Sequence, residues 1–449
     1  MPRSQSHALP QPLFHEPVFG DGVVTPDPTG FVKAHPSDSA LYKQIGNLLK
    51  TEVVGFAKSR VADDQLYTLA NAYGERGPDV VKEIETAGRL VFHAIGDSGA
   101  TTGGKQFGDE LSVADQLTTD CNITETANRP AFLLHLGDVV YDFGESQYYY
   151  DQFYAPFRDY PAPIFAIPGN HDSFVVPNTP EGETPLDIFT RNFCAESPVV
   201  TREAASLHRT AMTQPGVYYS LEAPFVRLLC LFSNALEDPG VISSEKGHWP
   251  DVPDYQLDFL EAQLQKIKDD KYQGAVLIAV HHPAFSYAVK SSIRSSGGSH
   301  GSSTAMLRQI DTICEKIGVY PHAFLSGHAH NYQRYTRTVT VNGKDFDAPF
   351  IVCGDGGHHV NTIVRAKRGT PSQEPHFGTH VDYLDVKPAV ETKGLLLEKY
   401  NDSGYGYLRV SVDKDQLSIG FHLVGQSSIA QSRFDKVTVD LAKHEMIAN

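Results

Sequence analysis

The sequence predicts an α/β protein with mixed strands, and two observations support this fold class. Short apolar runs of strand length occur at residues 89–95, 131–136, 163–167, 274–280 and 323–325. Each run ends in a glycine or a polar cluster, and amphipathic helical patterns lie between them. Strands that alternate with helices along a chain are typical of a largely parallel, layered sheet.

The region before the first apolar run is predicted to be α-helical. Residues 1 to about 30 are rich in proline, and a helical pattern of apolar residues follows Ser37, a candidate N-cap. Similar patterns continue to about residue 86. We therefore expect an N-terminal helical extension over residues 1–88.

Paired strands are predicted in two further places. Residues 217–233 and 335–352 each divide into two strand-like halves, and Asn342-Gly343 in the second is a hairpin turn signal. Residues 405–440 add alternating strands near the end of the chain. By contrast, residues 173–215 have no strand pattern, and we expect them to form an inserted loop.

The composition excludes several classes of protein. Hydrophobic residues make up 41% and charged residues 20% of the chain, as in ordinary soluble globular proteins. The net charge of −16 repels polyanions, which argues against a nucleic-acid binder with a basic surface. No apolar run approaches the roughly 20 residues of a membrane helix. We therefore expect neither a nucleic-acid partner nor a membrane partner.

The cysteine content favours a reducing compartment. The number of cysteines is odd, and none is spaced as CxxC. We expect buried, reduced thiols. The first residues hold no apolar stretch of a secretory signal, so a cytoplasmic location is expected. The cysteines are Cys121, Cys194, Cys230, Cys314 and Cys353.

A block of polar residues follows each of the five short apolar runs. In an open α/β sheet, ligands bind at the carboxyl ends of the strands, so separate blocks can converge on one cleft. Glycines beside the polar residues permit tight turns and close approach of the backbone. The blocks are Gly96-Asp97-Ser98-Gly99, Gly137-Asp138-Val139-Val140-Tyr141, Gly169-Asn170-His171-Asp172, Val280-His281-His282-Pro283 and Gly327-His328-Ala329-His330.

The residue types in these blocks are metal ligands of different hardness. A tyrosine phenol has a pKa of about 10, so it binds as phenolate only beside a strong Lewis acid. A site with Asp97, Asp138, Tyr141 and a histidine therefore suits trivalent iron. A site with Asp138, Asn170 and two histidines is less anionic and suits divalent zinc, manganese or iron. A shared Asp138 could bridge ions about 3.5–4 Å apart, as in two-metal phosphoryl displacement.

The ordered set GDSG, GDVVY, GNHD, VHHP and GHAH resembles the calcineurin-like metallophosphoesterase superfamily, and within it the purple acid phosphatases. The generic superfamily carries Asp-x-His in its first block, whereas this chain has Asp97-Ser98-Gly99. In the purple acid phosphatase pattern a tyrosine three residues after the second aspartate compensates, and Tyr141 stands there. The resemblance covers residues about 89–360, which it implies to be the catalytic core. Residues 361–449 would complete that core with further strands.

The resemblance implies a fold and two sets of metal ligands. The fold is a four-layer α/β/β/α sandwich, with the helical extension before it. His281 rather than His282 is the ligand of the fourth block, because the family ligand precedes x-Pro. The first site, with Fe(III), would take Asp97, Asp138, Tyr141 and His330. The second site, with divalent zinc, manganese or iron, would take Asp138, Asn170, His281 and His328.

The resemblance also implies two catalytic histidines. His171 corresponds to the family's substrate-contacting histidine after the ligand asparagine, and we expect Asp172 to orient it. The segment from Ser299 to Ser303 resembles the His-Gly segment of the small mammalian-type enzymes. In those enzymes the histidine, here His300, assists the leaving group.

The expected function is that of a dinuclear phosphoesterase, a phosphomonoesterase of purple acid phosphatase type. A metal-bound hydroxide would attack a small-molecule phosphate ester in line. A phosphodiesterase or nucleotide hydrolase would use the same ligands and remains an alternative. A non-catalytic metal-binding module is a third, less favoured reading. The sequence defines neither the substrate nor the oligomeric state.

Other histidines are predicted to have different roles. His358 and His359, after a glycine-rich turn, either line the cleft or sit on a glycine loop, and the sequence favours neither. Hydrogen-bonded core positions are predicted for His93, His135, His282 and His322.

Overall fold

The fold is taken from a computed structural model of the chain. The helical pattern that follows Ser37 lies almost entirely outside the described residues, as does the proline-rich start of the chain. The structure describes residues 55–100, 105–141, 143–174, 184–205, 207, 209–234, 236, 239–245, 252–287, 300–363, 379–380, 390, 394–425 and 433–447.

Helices alternate with strands through most of the described chain, as predicted. Short 3₁₀ and π turns connect several of them. The α-helices are α1 (Leu69–Tyr73), α2 (Gly77–Ala87), α3 (Lys105–Asp120), α4 (Pro185–Phe193), α5 (Tyr255–Asp269) and α6 (Thr304–Ile317).

The strands form two mixed sheets. One has the order β1-β5-β6-β7-β8-β10-β9-β12-β11 and the other the order β16-β15-β14-β13-β2-β3-β4. The strands are β1 (Tyr67–Thr68), β2 (Leu90–Ile95), β3 (Pro130–His135), β4 (Ile164–Ala166), β5 (Tyr219–Ala223), β6 (Val226–Leu231), β7 (Ala275–Val280), β8 (Ala323–Ser326), β9 (Tyr332–Val341), β10 (Lys344–Cys353), β11 (Thr379–His380), β12 (Leu396–Asn401), β13 (Gly406–Val412), β14 (Gln416–Leu423), β15 (Arg433–Asp440) and β16 (Glu445–Met446).

The strand directions confirm the predicted mixture of parallel and antiparallel pairing. β2, β3 and β4 are parallel neighbours in one sheet, and β6, β7 and β8 are parallel neighbours in the other. β13 joins β2 in antiparallel register, and β9 and β10 form the predicted hairpin. Asn342 and Gly343 both have positive φ there, 51° and 77°, as a tight hairpin turn requires.

The two sheets pack against each other and carry helices on their other faces. Successive strand residues point to opposite faces, so Leu277 and Ala279 of β7 lie in a core with Phe92 of β2. The alternate residue Ile278 lies in a second core with Leu260 of α5. Two sheets with helices outside them confirm the mixed α/β fold class.

The N-terminal helices take part in the core between the sheets. Leu69 and Tyr73 of α1 and Val80 and Ile84 of α2 are buried in the same cluster as β2. Thr68 caps α1 with its side chain and forms a capping box with Asn71, an arrangement that fixes a helix start.

The segment 173–215, expected to be an inserted loop, contains a helix. α4 begins after Thr184, which forms a capping box with Asp187. Phe189 and Phe193 of this helix are buried in the core beneath the outer helices. Its apolar positions follow a proline- and glutamate-rich stretch and span only nine residues, too few for the helical period to be recognised.

Two further properties of the described residues concern the chain as a whole. All five cysteines are buried and none forms a disulfide. Within the described residues, the helices are too short or too polar to span a bilayer.

Candidate metal centre

The five polar blocks meet where the parallel strands of the two sheets end. Hydrogen bonds connect the blocks directly: the N–H of Gly327 donates to the carbonyl of His281 at 3.0 Å, and that of Asp97 to the carbonyl of Gly137 at 3.0 Å. Asp97, Asp138 and His328 all adopt positive φ, between 54° and 67°. Non-glycine residues in this region cost roughly 1–3 kcal/mol each and cluster at functional sites.

Four side chains of the predicted first site form one cluster. The Tyr141 phenol oxygen lies 3.0 Å from Asp97 Oδ1, 2.8 Å from Asp138 Oδ2 and 3.1 Å from His330 Nε2. His330 Nε2 also lies 3.4 Å from Asp97 Oδ1. We call this group the first cluster: Asp97, Asp138, Tyr141 and His330.

The predicted second site forms an adjoining cluster. Asn170 Oδ1 lies 3.1 Å from His281 Nε2 and 3.0 Å from His328 Nδ1. His281 Nε2 lies 3.3 Å from Asp138 Oδ2. We call this group the second cluster: Asp138, Asn170, His281 and His328. The structure therefore brings together all seven predicted ligands, with Asp138 in both groups.

The spacing of these atoms fits cation binding. Ligand atoms at bond lengths of about 2.0–2.2 Å from one ion are separated by roughly 3.0–3.5 Å. The ligand-atom separations within both clusters run from 2.8 to 3.4 Å. Two buried groups of three carboxylate or imidazole ligands, each with its ligand atoms within 4.8 Å, coincide with the clusters.

Both carboxylates are oriented by backbone N–H groups from other blocks. The N–H of His171 donates to Asp138 Oδ1 at 3.0 Å, and that of His328 donates to Asp97 Oδ2 at 2.8 Å. In each case the second carboxylate oxygen is left to face its cluster. His281 is oriented in the same way, because its Nδ1–H donates to the carbonyl of Leu136 at 2.8 Å and its Nε2 faces Asp138.

Glycine is required where the blocks approach each other most closely. Gly137 has a φ of 99°, and a Cβ there would lie 2.5 Å from His281 Nδ1. A Cβ on Gly169 would overlap the Asp138 carboxylate. Any side chain at either position would displace a residue of the clusters.

Burial and the charge of Asp138 together determine the pKa shifts in the clusters. Burial and the neighbouring Asp138 carboxylate raise the pKa of Asp97 well above its ordinary value, although His281 acts in the opposite direction. Burial, then Asp138 and Asp97, also raise the pKa of Tyr141. Burial lowers the pKa of His281, but Asp138 outweighs it and brings the pKa to about 9. Without a cation, protons on these groups balance the buried carboxylates, and bound cations would replace them.

Asp172 has a different role from the one expected. Its two oxygens accept the backbone N–H groups of Val139, Val140 and Gly169 at 2.9–3.1 Å. Asp172 therefore joins the second block to the third instead of orienting the His171 ring. Burial and the charge of Asp138 raise its pKa to about 6, against the effect of these hydrogen bonds.

Both histidines predicted to be catalytic lie beside the clusters. The ring of His171 packs on Tyr141 and Phe174, with centroid distances of 4.4 and 4.8 Å. The ring of His300 lies 4.5 Å from His328 and 5.3 Å from His330, so it stands next to a residue of each cluster. Both residues are buried beside the clusters, with 6% of the surface of His171 and 9% of that of His300 exposed.

Three site residues were missed or left open by the sequence. His358 stacks on Tyr141 at 3.7 Å, and His359 Nε2 lies 3.2 Å from His330 Nδ1, so both lie against the first cluster. Gln152 exchanges two hydrogen bonds with the backbone of Tyr141, at 2.8 and 2.7 Å. Gln152 lies in a tyrosine-rich stretch whose pattern is typical of the core, so nothing in the sequence indicates its role. The glycine-rich turn before His358 is the one local feature that points to His358 and His359.

The four histidines predicted to occupy core positions, His93, His135, His282 and His322, are hydrogen-bonded there. His135 contacts Ser98 Oγ at 2.9 Å, and His282 contacts Ser233 Oγ at 2.8 Å. Burial lowers the pKa of both to about 3, so they are neutral. His93 contacts Asp120.

The chain belongs to the calcineurin-like phosphoesterase family. Residues 90–332, more than half of the chain, match this family. The match contains all seven residues of the two clusters as well as His171 and His300. The prediction of a metallophosphoesterase is confirmed at the level of the family.

Three solved structures are similar to this one at low sequence identity. A purple acid phosphatase from yellow lupin (Lupinus luteus) seeds is 16% identical, with a TM-score of 0.48 over 78% of this chain and 54% of that one. This chain thus spans about half the length of the lupin protein. PhoD is 12% identical, with a TM-score of 0.48 over 80% and 72% of the two chains.

GAP50, the anchor in the inner membrane complex of Plasmodium, is 10% identical, with a TM-score of 0.46 over 78% and 89%. A comparison with curated proteins gives no match.

Proposed function

We propose that the protein is a dinuclear metal-dependent phosphoesterase, and specifically a phosphomonoesterase of purple acid phosphatase type. One observation carries the proposal: Asp138 Oδ2 lies 2.8 Å from the Tyr141 phenol and 3.3 Å from His281 Nε2. A single carboxylate oxygen therefore lies beside ligand atoms of both clusters, so Asp138 would serve both ions of a two-metal site. Family membership supports the reaction class.

The donor sets support a different ion for each cluster. The first cluster would hold Fe(III) through two carboxylates, a phenolate and an imidazole, because a phenolate needs a strong Lewis acid. The second cluster would hold divalent zinc, manganese or iron through one carboxylate, an amide oxygen and two imidazoles. When bound, the two ions would lower the pKa of a bound water to about 7 and offset charge on the phosphoryl oxygens.

His171 is proposed to bind the phosphate. Its backbone N–H donates to Asp138 Oδ1, and its ring packs against Tyr141 and Phe174. The ring is thus fixed beside the first cluster, where an imidazole N–H can donate to a phosphate oxygen.

His300 is proposed to protonate the leaving oxygen. Its ring lies next to His328 and His330, one residue of each cluster, so a substrate held between the clusters comes within its reach. An imidazole can exchange a proton near neutral pH, which suits a general acid.

The substrate is proposed to be a small phosphate monoester. The negative charge of the chain, −16, disfavours a polyanionic substrate. A diesterase would use the same clusters, so only turnover separates the two activities. A panel of alkyl and aryl monoesters and diesters should show faster turnover of the monoesters. Preference for diesters would replace the proposal with its alternative.

Metal analysis of the full-length protein tests the dinuclear site. After loading with iron and zinc, elemental analysis should give two ions per chain, and the visible spectrum a phenolate–ferric charge-transfer band. Asp138→Ala should lose both ions and the activity, whereas Tyr141→Phe should lose the band. Asp311→Asn, which weakens an ion pair with Arg337 outside the clusters, is the control. An active Asp138→Ala protein with both ions would refute the proposal.

A further inference from the structure

A glycine-rich segment after β10 lies along the first cluster. We call residues 354–361, Gly-Asp-Gly-Gly-His-His-Val-Asn, the glycine–histidine loop. It contacts three of the four residues of the first cluster, although it lies beyond the part of the chain that matches the family.

The backbone of this loop is bonded to two of those residues. The N–H of His358 donates to the carbonyl of Asp97 at 3.0 Å, and the N–H of Asn361 donates to the carbonyl of His330 at 2.8 Å. Gly357 has a φ of 150°, and a Cβ there would lie 2.6 Å from Glu110 Cα. The loop is therefore closely packed, and its two histidines have defined positions.

The first of these histidines holds the ring of Tyr141. The two rings stack with centroids 3.7 Å apart and an interplanar angle of 9°. His358 Nδ1–H donates to the carbonyl of Gly99 at 2.7 Å, which fixes the imidazole itself. His171 also contacts the Tyr141 ring, tilted by 46°. Rotation of the phenol about its Cβ–Cγ bond would break the stack.

The second histidine holds the ring of His330. His359 Nε2 lies 3.2 Å from His330 Nδ1, and the rings are nearly perpendicular at 84°. His330 Nε2 faces the cluster, where it could offer a lone pair only if the proton sits on Nδ1. That Nδ1–H then donates to His359 Nε2. A partner of this kind orients a ligating imidazole and fixes its tautomer.

In the second cluster, the main chain orients His281. The Nδ1–H of His281 donates to the backbone carbonyl of Leu136, so its orientation comes from the main chain of the second block. The side chains of the glycine–histidine loop thus act on one cluster in particular.

We propose that His358 and His359 are positioning residues of the first cluster, His358 for the Tyr141 phenol and His359 for the His330 imidazole. The inference rests on the proposed function, because it assigns the two histidines to the ion of that cluster. Their effect would be on the affinity and spectrum of the iron, with the divalent ion retained.

Four variants of the full-length protein, loaded with iron and zinc, test the inference. His359→Met replaces the imidazole nitrogen by a thioether, which is only a weak acceptor, and should weaken iron retention against a chelator about 10–100-fold. His359→Gln keeps an acceptor of similar reach and should retain iron nearly as well as the wild-type protein. His358→Ala should shift the charge-transfer band, whereas His358→Phe keeps an aromatic stack and should largely preserve it. His422→Phe, which alters a histidine–tyrosine stack on β14 outside the clusters, is the matched control.

The outcomes separate the two proposals. A wild-type protein that binds no iron and shows no band would overturn the proposed function. A wild-type protein with the band, beside His359→Met and His358→Ala proteins with unchanged iron affinity and spectrum, would overturn only the positioning roles. Circular dichroism of the metal-free variants monitors folding. If His358→Ala does not fold, the inference is tested by comparing the iron affinities of the Met and Gln variants at position 359. Equal iron affinity in these two variants would overturn the inference.

Discussion

The backbone N–H of His328 donates to Asp97 Oδ2 at 2.8 Å and joins residues 231 positions apart in the chain. The two residues follow strands of different sheets, and both have positive φ, 67° and 56°. The bond leaves Asp97 Oδ1 facing the Tyr141 phenol at 3.0 Å. The position of the first carboxylate thus depends on the packing of one sheet on the other.

Asp97→Asn should stabilise the metal-free protein as the pH rises. Burial and Asp138 raise the pKa of Asp97, so the folded protein holds a proton that the unfolded chain releases above pH 3.8. Wild-type stability is therefore lost as the pH rises toward the raised pKa, and the asparagine avoids this loss. Chemical unfolding with a chelator should show a gain of about 1–3 kcal/mol at pH 8 and little difference at pH 4. A variant less stable than wild type at pH 8 would contradict this.

Asp172→Asn should weaken metal binding, although Asp172 is not one of the seven proposed metal ligands. The amide nitrogen would face backbone N–H groups of Val139, Val140 or Gly169, leaving a buried donor unpaired at a cost of about 1–3 kcal/mol. Because these groups hold the second and third blocks together, affinity for both ions should fall, about 10–100-fold. Titration calorimetry measures the affinity for each ion in the wild-type protein and the variant. Unchanged affinity would show that the two blocks keep their positions unaided.

His300→Ala should slow the enzyme most on esters with poor leaving groups. A general acid contributes about 10²–10⁴-fold, and it is needed least when the leaving group is already a stable anion. Alkyl phosphates should therefore lose most of that factor, and nitrophenyl phosphate should lose much less. Steady-state kcat on both substrates, with metal content measured in parallel, checks the prediction. An equal loss on both would contradict the role of His300 as acid.

His322→Asn should reduce the sensitivity of the fold to acid. Burial lowers the pKa of His322 from 6.5 to about 4, and its ring stacks on His444 at 4.1 Å. Between pH 6.5 and pH 4 the unfolded chain binds a proton that the folded protein does not. The contribution of His322 to the free energy of unfolding is therefore fully present above pH 6.5 and is lost as the pH falls to 4, a loss of roughly 3 kcal/mol. The asparagine can still accept the Val276 N–H. Denaturant midpoints at pH 7 and pH 4.5 should differ less in the variant.

The sequence predicted those parts of the fold that leave a local signal. Strand-length apolar runs followed by a glycine or a polar cluster located β2, β3, β4, β7 and β8, and Asn342-Gly343 located the β9–β10 hairpin. The five polar blocks were recognisable because residue types that can bind metals recur in them directly after the predicted strands.

Features that depend on distant partners were not predictable in the same way. Asp172 was assigned to its neighbour His171, whereas its partners lie mainly in the second block. The roles of His358 and Gln152 depend on where Tyr141 comes to lie, and no spacing in the chain encodes that. α4 was missed because its nine residues carry too little periodicity.

The core between the sheets extends beyond the part of the chain that matches the family. Leu69 and Val80 precede residue 90, and Leu408 and Val410 of β13, which pairs with β2, follow residue 332. A fragment cut at the borders of the match would expose one edge of β2 and a broad apolar surface. Expression of the recognisable part alone should therefore yield an aggregating polypeptide, and boundaries for a minimal enzyme must be drawn from the packing.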